Sequence, residues 1–142
     1  MDFSRRDLAW LLPLMKTADS LAAELPILDG KAYKIEAMPW HANASGSSKA
    51  RSIFDGLTTR GQRITMHMTE LAPGQAPHPA ARQPHEEILV VWQGTIECTI
   101  NGKTSTLRPG DILYSAYNDL KDWKNVGSDP ASYFVISLED HA

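Results

Sequence analysis

The sequence contains very little cysteine: Cys98 is the only one among 142 residues. A single cysteine cannot form an intrachain disulfide, and it excludes a zinc site built on several cysteines. Cys98 lies in the alternating run TIECTI. That position predicts a small buried side chain rather than a reactive thiol.

Long apolar runs and concentrations of basic charge are also missing. No segment approaches the roughly 18 consecutive apolar residues that a membrane span requires. The chain has 14 Lys and Arg against 17 Asp and Glu, a net charge of -3 at pH 7, and no local run of basic residues. We therefore expect no membrane span and no nucleic-acid partner.

Two common catalytic motifs are absent as well. No serine lies in a Gly-x-Ser-x-Gly turn, which is the usual signature of a hydrolase nucleophile. No glycines have the spacing of a phosphate-binding or dinucleotide-binding loop. The sequence thus indicates neither a serine hydrolase nor a nucleotide-binding enzyme.

The first segment, residues 1–25, has two interpretations. Arg5 and Arg6 followed by the apolar stretch 9–15 resemble a twin-arginine export signal. The same residues also fit an amphipathic N-terminal helix with Ser4 as its N-cap. The protein is accordingly expected to be either cytoplasmic or exported through a twin-arginine-like signal, and the sequence leaves this open.

The rest of the chain predicts an all-β fold. Short apolar runs rich in β-branched and aromatic residues alternate with Gly, Pro, Asn and Asp, without long helical segments between them. We divide this part into N-terminal strands and an arm over 26–60 and a barrel core over 61–142, within a single domain overall. The expected strands include residues 31–38, RITMHMTEL and ASYFVISLE, and the polar stretch 41–50 is expected to be an exposed loop or mobile arm.

Two turns support the strand pairing. Asn101-Gly102 suits the positive backbone angles of a type I′ hairpin between IECTI and KTSTL. Pro109-Gly110-Asp111 predicts a second tight turn before ILY.

These features together resemble the two conserved blocks of the small single-domain cupins. The likeness covers roughly residues 64–138, and its most specific part is the Pro-Gly-Asp turn followed at matching distance by Asn-Val-Gly. It implies a jelly-roll barrel, the double-stranded β-helix, that is often dimeric. The matching segments are Glu86-Glu87, the apolar run 88–92, Gly94, Asn101-Gly102, Pro109-Gly110-Asp111, Asn125-Val126-Gly127 and Phe134-Val135-Ile136.

In metal-binding cupins, the resemblance implies three histidines and a glutamate as ligands. The corresponding positions here are Ala81, Gln83, Glu87 and Lys121, so only the glutamate is kept. Alanine offers no donor, and a lysine ammonium would have to lose its proton to bind a cation. We predict instead that Lys121 and Glu87 pair across the pocket by a charge-assisted hydrogen bond.

Other histidines leave a metal site open as an alternative. His78, His85 and Glu87 together could form a non-standard set of ligands for a divalent transition metal. His67 lies in the alternating run MHMTE, and either face of that strand could be the interior. A structural histidine and a pocket-lining one both remain open for His67.

The leading hypothesis is a metal-free module that binds a small polar or carboxylated molecule in the barrel. No cofactor is expected, and the expected partners are this small molecule and a second copy of the chain. Two alternatives remain: a metal-dependent enzyme of dioxygenase or isomerase type with non-standard ligands, and a dimeric scaffold. The candidate ligand-binding residues are Gln83, Glu87, Lys121, Trp123, Tyr114 and His67.

Overall fold

A computed structural model describes residues 24–140 of the chain. This part is almost entirely β-structure, with one short 3-10 helix at Ile35–Ala37. The ten strands are β1 His41–Ala42, β2 Ser48–Leu57, β3 Arg63–Leu71, β4 Ala81–Arg82, β5 Glu86–Gln93, β6 Ile96–Ile100, β7 Lys103–Leu107, β8 Ile112–Ser115, β9 Leu120–Asn125 and β10 Ala131–Glu139.

The strands form two antiparallel sheets. The larger sheet has six strands in the order β1-β2-β3-β10-β5-β8, and the smaller has four in the order β4-β9-β6-β7. The chain crosses from one sheet to the other several times, for example between β5 and β6 and again between β7 and β8. This arrangement is the jelly roll that the sequence predicts.

The hydrophobic core lies between the two sheets. Alternation along β5 buries Leu89 and Val91, while alternation along β6 buries Ile96 and Cys98. Cys98 is only 2% exposed, as its place in the alternating run predicts. The remaining buried members of the core are Leu71, Leu107, Trp123, Ala131, Tyr133 and Val135.

The predicted hairpin turn is present between β6 and β7. Ile100 pairs with Lys103, so Asn101 and Gly102 form a two-residue loop. Their φ angles are 48° and 83°, which are the left-handed values that a type I′ turn requires. A second required glycine is Gly94 (φ 86°), since an added Cβ would lie 2.7 Å from the Cβ of Ala131.

The N-terminal part differs from expectation in two places. The strand predicted at 31–38 is wrong, because the 3-10 helix occupies its centre. The stretch 41–50 is a hairpin rather than a free loop: His41 and Ala42 pair with Ala50 and Lys49. The helix predicted over 1–25 falls almost wholly outside the described residues. Within residues 24–140, no helix is long and apolar enough to cross a membrane.

Candidate functional site

One end of the core is polar rather than apolar. Four inward-facing side chains form a row across the larger sheet, because Ser115 pairs with Glu87, Glu87 with Ser137, and Ser137 with Thr65. The next row toward the core consists of Leu113, Leu89, Val135 and His67, which pair in this order across the same strands. Its first three residues are apolar. We call Ser115, Glu87, Ser137 and Thr65 the polar row.

Lys121 reaches the polar row from the opposite sheet. It lies on β9 between Ala81 and Ile100, and its side chain is 1% exposed. The Nζ atom donates hydrogen bonds to Glu87 Oε1 and, at 3.0 Å, to Ser115 Oγ. Burying a charge is costly unless it is paired and hydrogen-bonded, and this lysine satisfies both conditions. Glu87 and Lys121 thus form the ion pair that the sequence predicts, and it joins the two sheets.

Two neutral groups lie near this ion pair. Burial lowers the pKa of His67 below its ordinary value, while the nearby Glu87 carboxylate acts in the opposite direction. Burial also raises the pKa of Tyr133 to about 12, although hydrogen bonds from Trp123 and Thr69 oppose it. The imidazole of His67 and the phenol of Tyr133 are therefore both uncharged at neutral pH. Among the described residues near this pair, the charged groups inside the barrel are therefore Glu87 and Lys121.

A chain of ionisable side chains connects the ion pair to the surface. His85 Nε2 lies 3.5 Å from Glu87 Oε1, and His85 Nδ1 lies 3.9 Å from Glu139 Oε1. Glu139 in turn bonds to Arg63 at 3.0 Å, and Arg63 bonds to Asp55. The side-chain exposure of these groups decreases steadily from 42% at Asp55 to 17% at His85 and 1% at Lys121. His85 is therefore the side chain between Glu87 and the exterior.

The remaining predicted residues fall in different places. Trp123 faces the core like Lys121, and its Nε1 donates to the Tyr133 hydroxyl at 2.9 Å. Gln83 is half-buried at the rim, and its backbone carbonyl accepts a hydrogen bond from Asn118. Tyr114 is not brought to this site: it is 59% exposed on the outer face, because its neighbour Ser115 takes the inward position.

His67 lies on the inward face of β3, the strand face that the sequence does not determine. It shares a face with the buried residues Thr69 and Leu71. His78 is separate from the polar row, since its ring packs edge-on against Trp123 with 5.6 Å between the ring centroids. Of the alternative metal ligands, the structure thus brings together His85 and Glu87 but not His78.

The side chains at this site do not fit a transition metal. Lys121 directs its ammonium at the Glu87 carboxylate, so a positive charge already lies where a cation would bind. Ala81 has no donor atom, and Gln83 offers only an amide. Within residues 24–140, no three His, Cys, Asp or Glu side chains are grouped so as to hold a metal ion.

Four residues of the site are not predicted by the sequence: Ser115, Ser137, Thr65 and Tyr133. Their positions depend on the register of β5 with β8 and β10, which brings serines to both sides of Glu87. The alternation of β10, ASYFVISLE, could have identified Tyr133, Val135 and Ser137 as one face. It could not have said which residues of β5 lie beside them.

The two antiparallel sheets place the chain in the class of jelly-roll β-barrels. The family profile described as "Cupin domain" matches residues 67–137, half of the chain. The chain belongs to the cupin family. Among curated proteins, none matches this sequence.

Solved structures with the same fold have diverse descriptions. KdgF from Halomonas sp. is 14% identical, with a TM-score of 0.64 over 78% of this chain and 95% of that one. A predicted oxalate decarboxylase from Thermotoga maritima is also 14% identical, with a TM-score of 0.60 over 78% and 100%. The polyketide cyclase RemF from Streptomyces resistomycificus is 13% identical, with a TM-score of 0.61 over 79% and 81%. At such low identity these likenesses establish the fold and no activity.

Proposed function

We propose that the barrel binds a small polar or carboxylated molecule at its polar end, without a transition metal or other cofactor. The observation that carries this proposal is the buried ion pair of Lys121 and Glu87 at positions where metal-binding cupins have ligands. In this proposal the ammonium takes the place of the metal as the fixed positive charge. Glu87 holds the ammonium in position.

The hydrogen-bonding capacity around Lys121 supports this assignment. An ammonium has three protons, and Lys121 uses two of them on Glu87 and Ser115. A carboxylate or hydroxyl oxygen of the ligand would accept the third. Ser137 and Thr65 supply hydroxyls in the same row, and neutral His67 can act as donor or acceptor. Gln83 would add an amide at the rim, and Trp123 would close the apolar side.

A panel of small carboxylic acids, each with its matched primary amide and alcohol, tests this function by isothermal titration calorimetry. We expect a subset of the carboxylates to bind saturably and more tightly than their amides. Ser137→Ala and Gln83→Ala should weaken that binding with little effect on stability, since the first removes a single hydroxyl and the second changes a half-buried side chain at the rim. Lys103→Met, on the exposed strand β7 of the neighbouring sheet, removes a positive charge away from the polar row and is the control for long-range electrostatic effects.

Two outcomes would contradict the proposal. One is a panel in which no compound binds saturably to the folded protein. The other is carboxylate binding that Lys103→Met weakens as much as Ser137→Ala or Gln83→Ala does. Tight stoichiometric binding of Mn²⁺, Fe²⁺, Ni²⁺ or Zn²⁺ with loss of the Lys121 contact would favour the metal-dependent enzyme instead.

We also propose that the protein forms a homodimer through the outer face of the larger sheet. This face is apolar across three adjacent strands, and Trp92, Ile112 and Tyr114 are 64%, 62% and 59% exposed. Large contiguous apolar patches are unusual on monomers and are typical of interfaces. The proposal gives Tyr114 a role in assembly rather than in the barrel. The other residues of the face are Ile88, Val90, Phe134, Ile136 and Leu138.

A further inference from the structure

The smaller sheet has a gap along one side of β9. At one end of the gap Ala81 pairs with Lys121, and at the other the Asn125 N–H donates to the Gln75 carbonyl at 2.9 Å. Between these points, residues 76–80 make no backbone hydrogen bond to β9. The loop formed by 76–80 therefore leaves a short stretch of the strand uncovered.

Trp123 is the residue whose peptide groups face this gap. In an antiparallel strand, the N–H and C=O of alternate residues point to the same side. Those of Asn125 bond to Gln75 and Gly74, so the N–H and C=O of Trp123 point toward residues 76–80. Neither group has a hydrogen-bond partner within residues 24–140. Unpaired peptide groups at a sheet edge are a ready template for another amide.

A cavity of about 260 Å³ lies at this gap, on the opposite side of β9 from the polar row. The loop contributes His78, β6 contributes Glu97 and Thr99, and β9 contributes Asp122 and Lys124. The volume suits a single amino-acid residue with its flanking peptide groups. A second, smaller cavity of about 140 Å³ shares Thr99 and Asp122 and extends the first along the sheet.

The charged side chains that line this cavity favour a cationic ligand. Lys124 Nζ lies 3.7 Å from Glu97 Oε1, so these two side chains largely neutralise each other. Asp122 forms no salt bridge with any described residue, which leaves its carboxylate as the uncompensated charge. A sugar is disfavoured, because Trp123 is only 5% exposed and offers no open aromatic face for stacking.

We propose that this cavity is a second binding site, for a basic residue of an extended peptide. The peptide N–H and C=O of the ligand would pair with the open groups of Trp123, adding one residue to the edge of β9. The ammonium or guanidinium of the ligand would bind Asp122. This interaction involves the outer face of the smaller sheet and none of the polar row.

The test uses the full chain and N-acetyl-arginine amide, which carries both peptide groups and the cation. Two probes with the same peptide groups accompany it: N-acetyl-glutamine amide, which lacks the charge, and N-acetyl-glutamate amide, which reverses it. In ¹H–¹⁵N NMR titrations, we expect saturable shifts for the arginine compound at the amides of Ala76, His78 and Ala80 and at those of residues 122–124. The glutamine compound should bind more weakly, and the glutamate compound should bind least.

Matched variants locate the cation. Asp122→Asn should weaken binding of the arginine compound by about threefold or more, as expected for a partly exposed ion pair. Asp140→Asn, an exposed carboxylate elsewhere, should leave the affinity unchanged. The inference is overturned if the shifts fail to saturate, if they map to residues 85–87, or if the three probes bind equally. Equal effects of the two variants would also overturn it.

Discussion

Removing the ammonium of Lys121 should strongly destabilise the fold. Lys121→Met keeps a long unbranched side chain but leaves the Glu87 carboxylate buried without its partner. Breaking a buried ion pair by removing one member costs about 3–5 kcal/mol. A domain of this size is stable by only about 5–15 kcal/mol, so the loss is a large fraction of the total. Glu87→Gln should cost a similar amount, because it leaves an ammonium buried.

The double variant Glu87→Gln/Lys121→Met should recover much of this loss. With both charges gone, neither desolvation penalty remains, and replacing a buried pair by uncharged side chains is often neutral or stabilising. The coupling energy of the double-mutant cycle should therefore be at least about 2 kcal/mol. The exposed pair Lys124–Glu97, 3.7 Å apart, is the control cycle, for which we expect about 0–1 kcal/mol.

Urea denaturation at pH 7, followed by tryptophan fluorescence and by circular dichroism, measures these free energies. The urea concentration at the unfolding midpoint should shift, while the dependence of the unfolding free energy on urea concentration stays constant. This is the behaviour of a variant that changes stability alone. If the single losses at Glu87 and Lys121 simply add in the double variant, the two groups do not interact in solution. The prediction would also be refuted if the Glu87 and Lys121 variants lost no more unfolding free energy than the variants of the exposed Lys124–Glu97 pair.

Three further predictions follow from burial and exposure. The pKa of His67 is lowered from 6.5 in the folded state, so the unfolded chain takes up this proton first; stability should fall as pH drops through about 6.5, and less so in His67→Gln. A fit of unfolding free energy against pH checks this, and identical profiles would contradict it. The Cys98 thiol, 2% exposed and with its pKa raised by burial, should react with a thiol reagent only after unfolding. Trp92→Lys should convert the proposed dimer to monomer in sedimentation velocity, whereas Lys103→Met should not; a monomeric parent protein would remove the proposal.

Much of the barrel could be predicted from the sequence, because local signals there agree with the tertiary fold. The strands predicted at RITMHMTEL and ASYFVISLE match β3 and β10 from end to end. Asn101-Gly102 fixed the β6–β7 hairpin, because few other dipeptides adopt two consecutive left-handed residues. The segment 31–38 was mistaken for a strand because Tyr33, Ile35 and Ala37 alternate with charged residues, as they would in a half-buried strand. In the structure this segment contacts the larger sheet from outside, where the Arg51 guanidinium donates to the Ile35 carbonyl.

Only part of the candidate site could be predicted from the sequence. The spacing of the cupin motifs predicted that Glu87 and Lys121 lie together, as they do. The alternation of side chains along β9 predicted that Trp123 faces the same side as Lys121. The face of a four-residue strand such as ILYS is set by its pairing with β5, so Tyr114 could not be distinguished from Ser115. For the same reason the sequence could not reveal the polar row, which exists only across strands that are distant along the chain.

The central claim is that an internal ammonium, rather than a metal, organises the polar end of the barrel. A crystal structure of the protein grown with a mixture of divalent transition metals, with anomalous data collected at each absorption edge, tests it most directly. We expect Lys121 Nζ to lie within hydrogen-bonding distance of Glu87 and Ser115, with no anomalous peak between the two sheets. An anomalous peak bound to the Glu87 carboxylate, with the Lys121 side chain displaced, would contradict it.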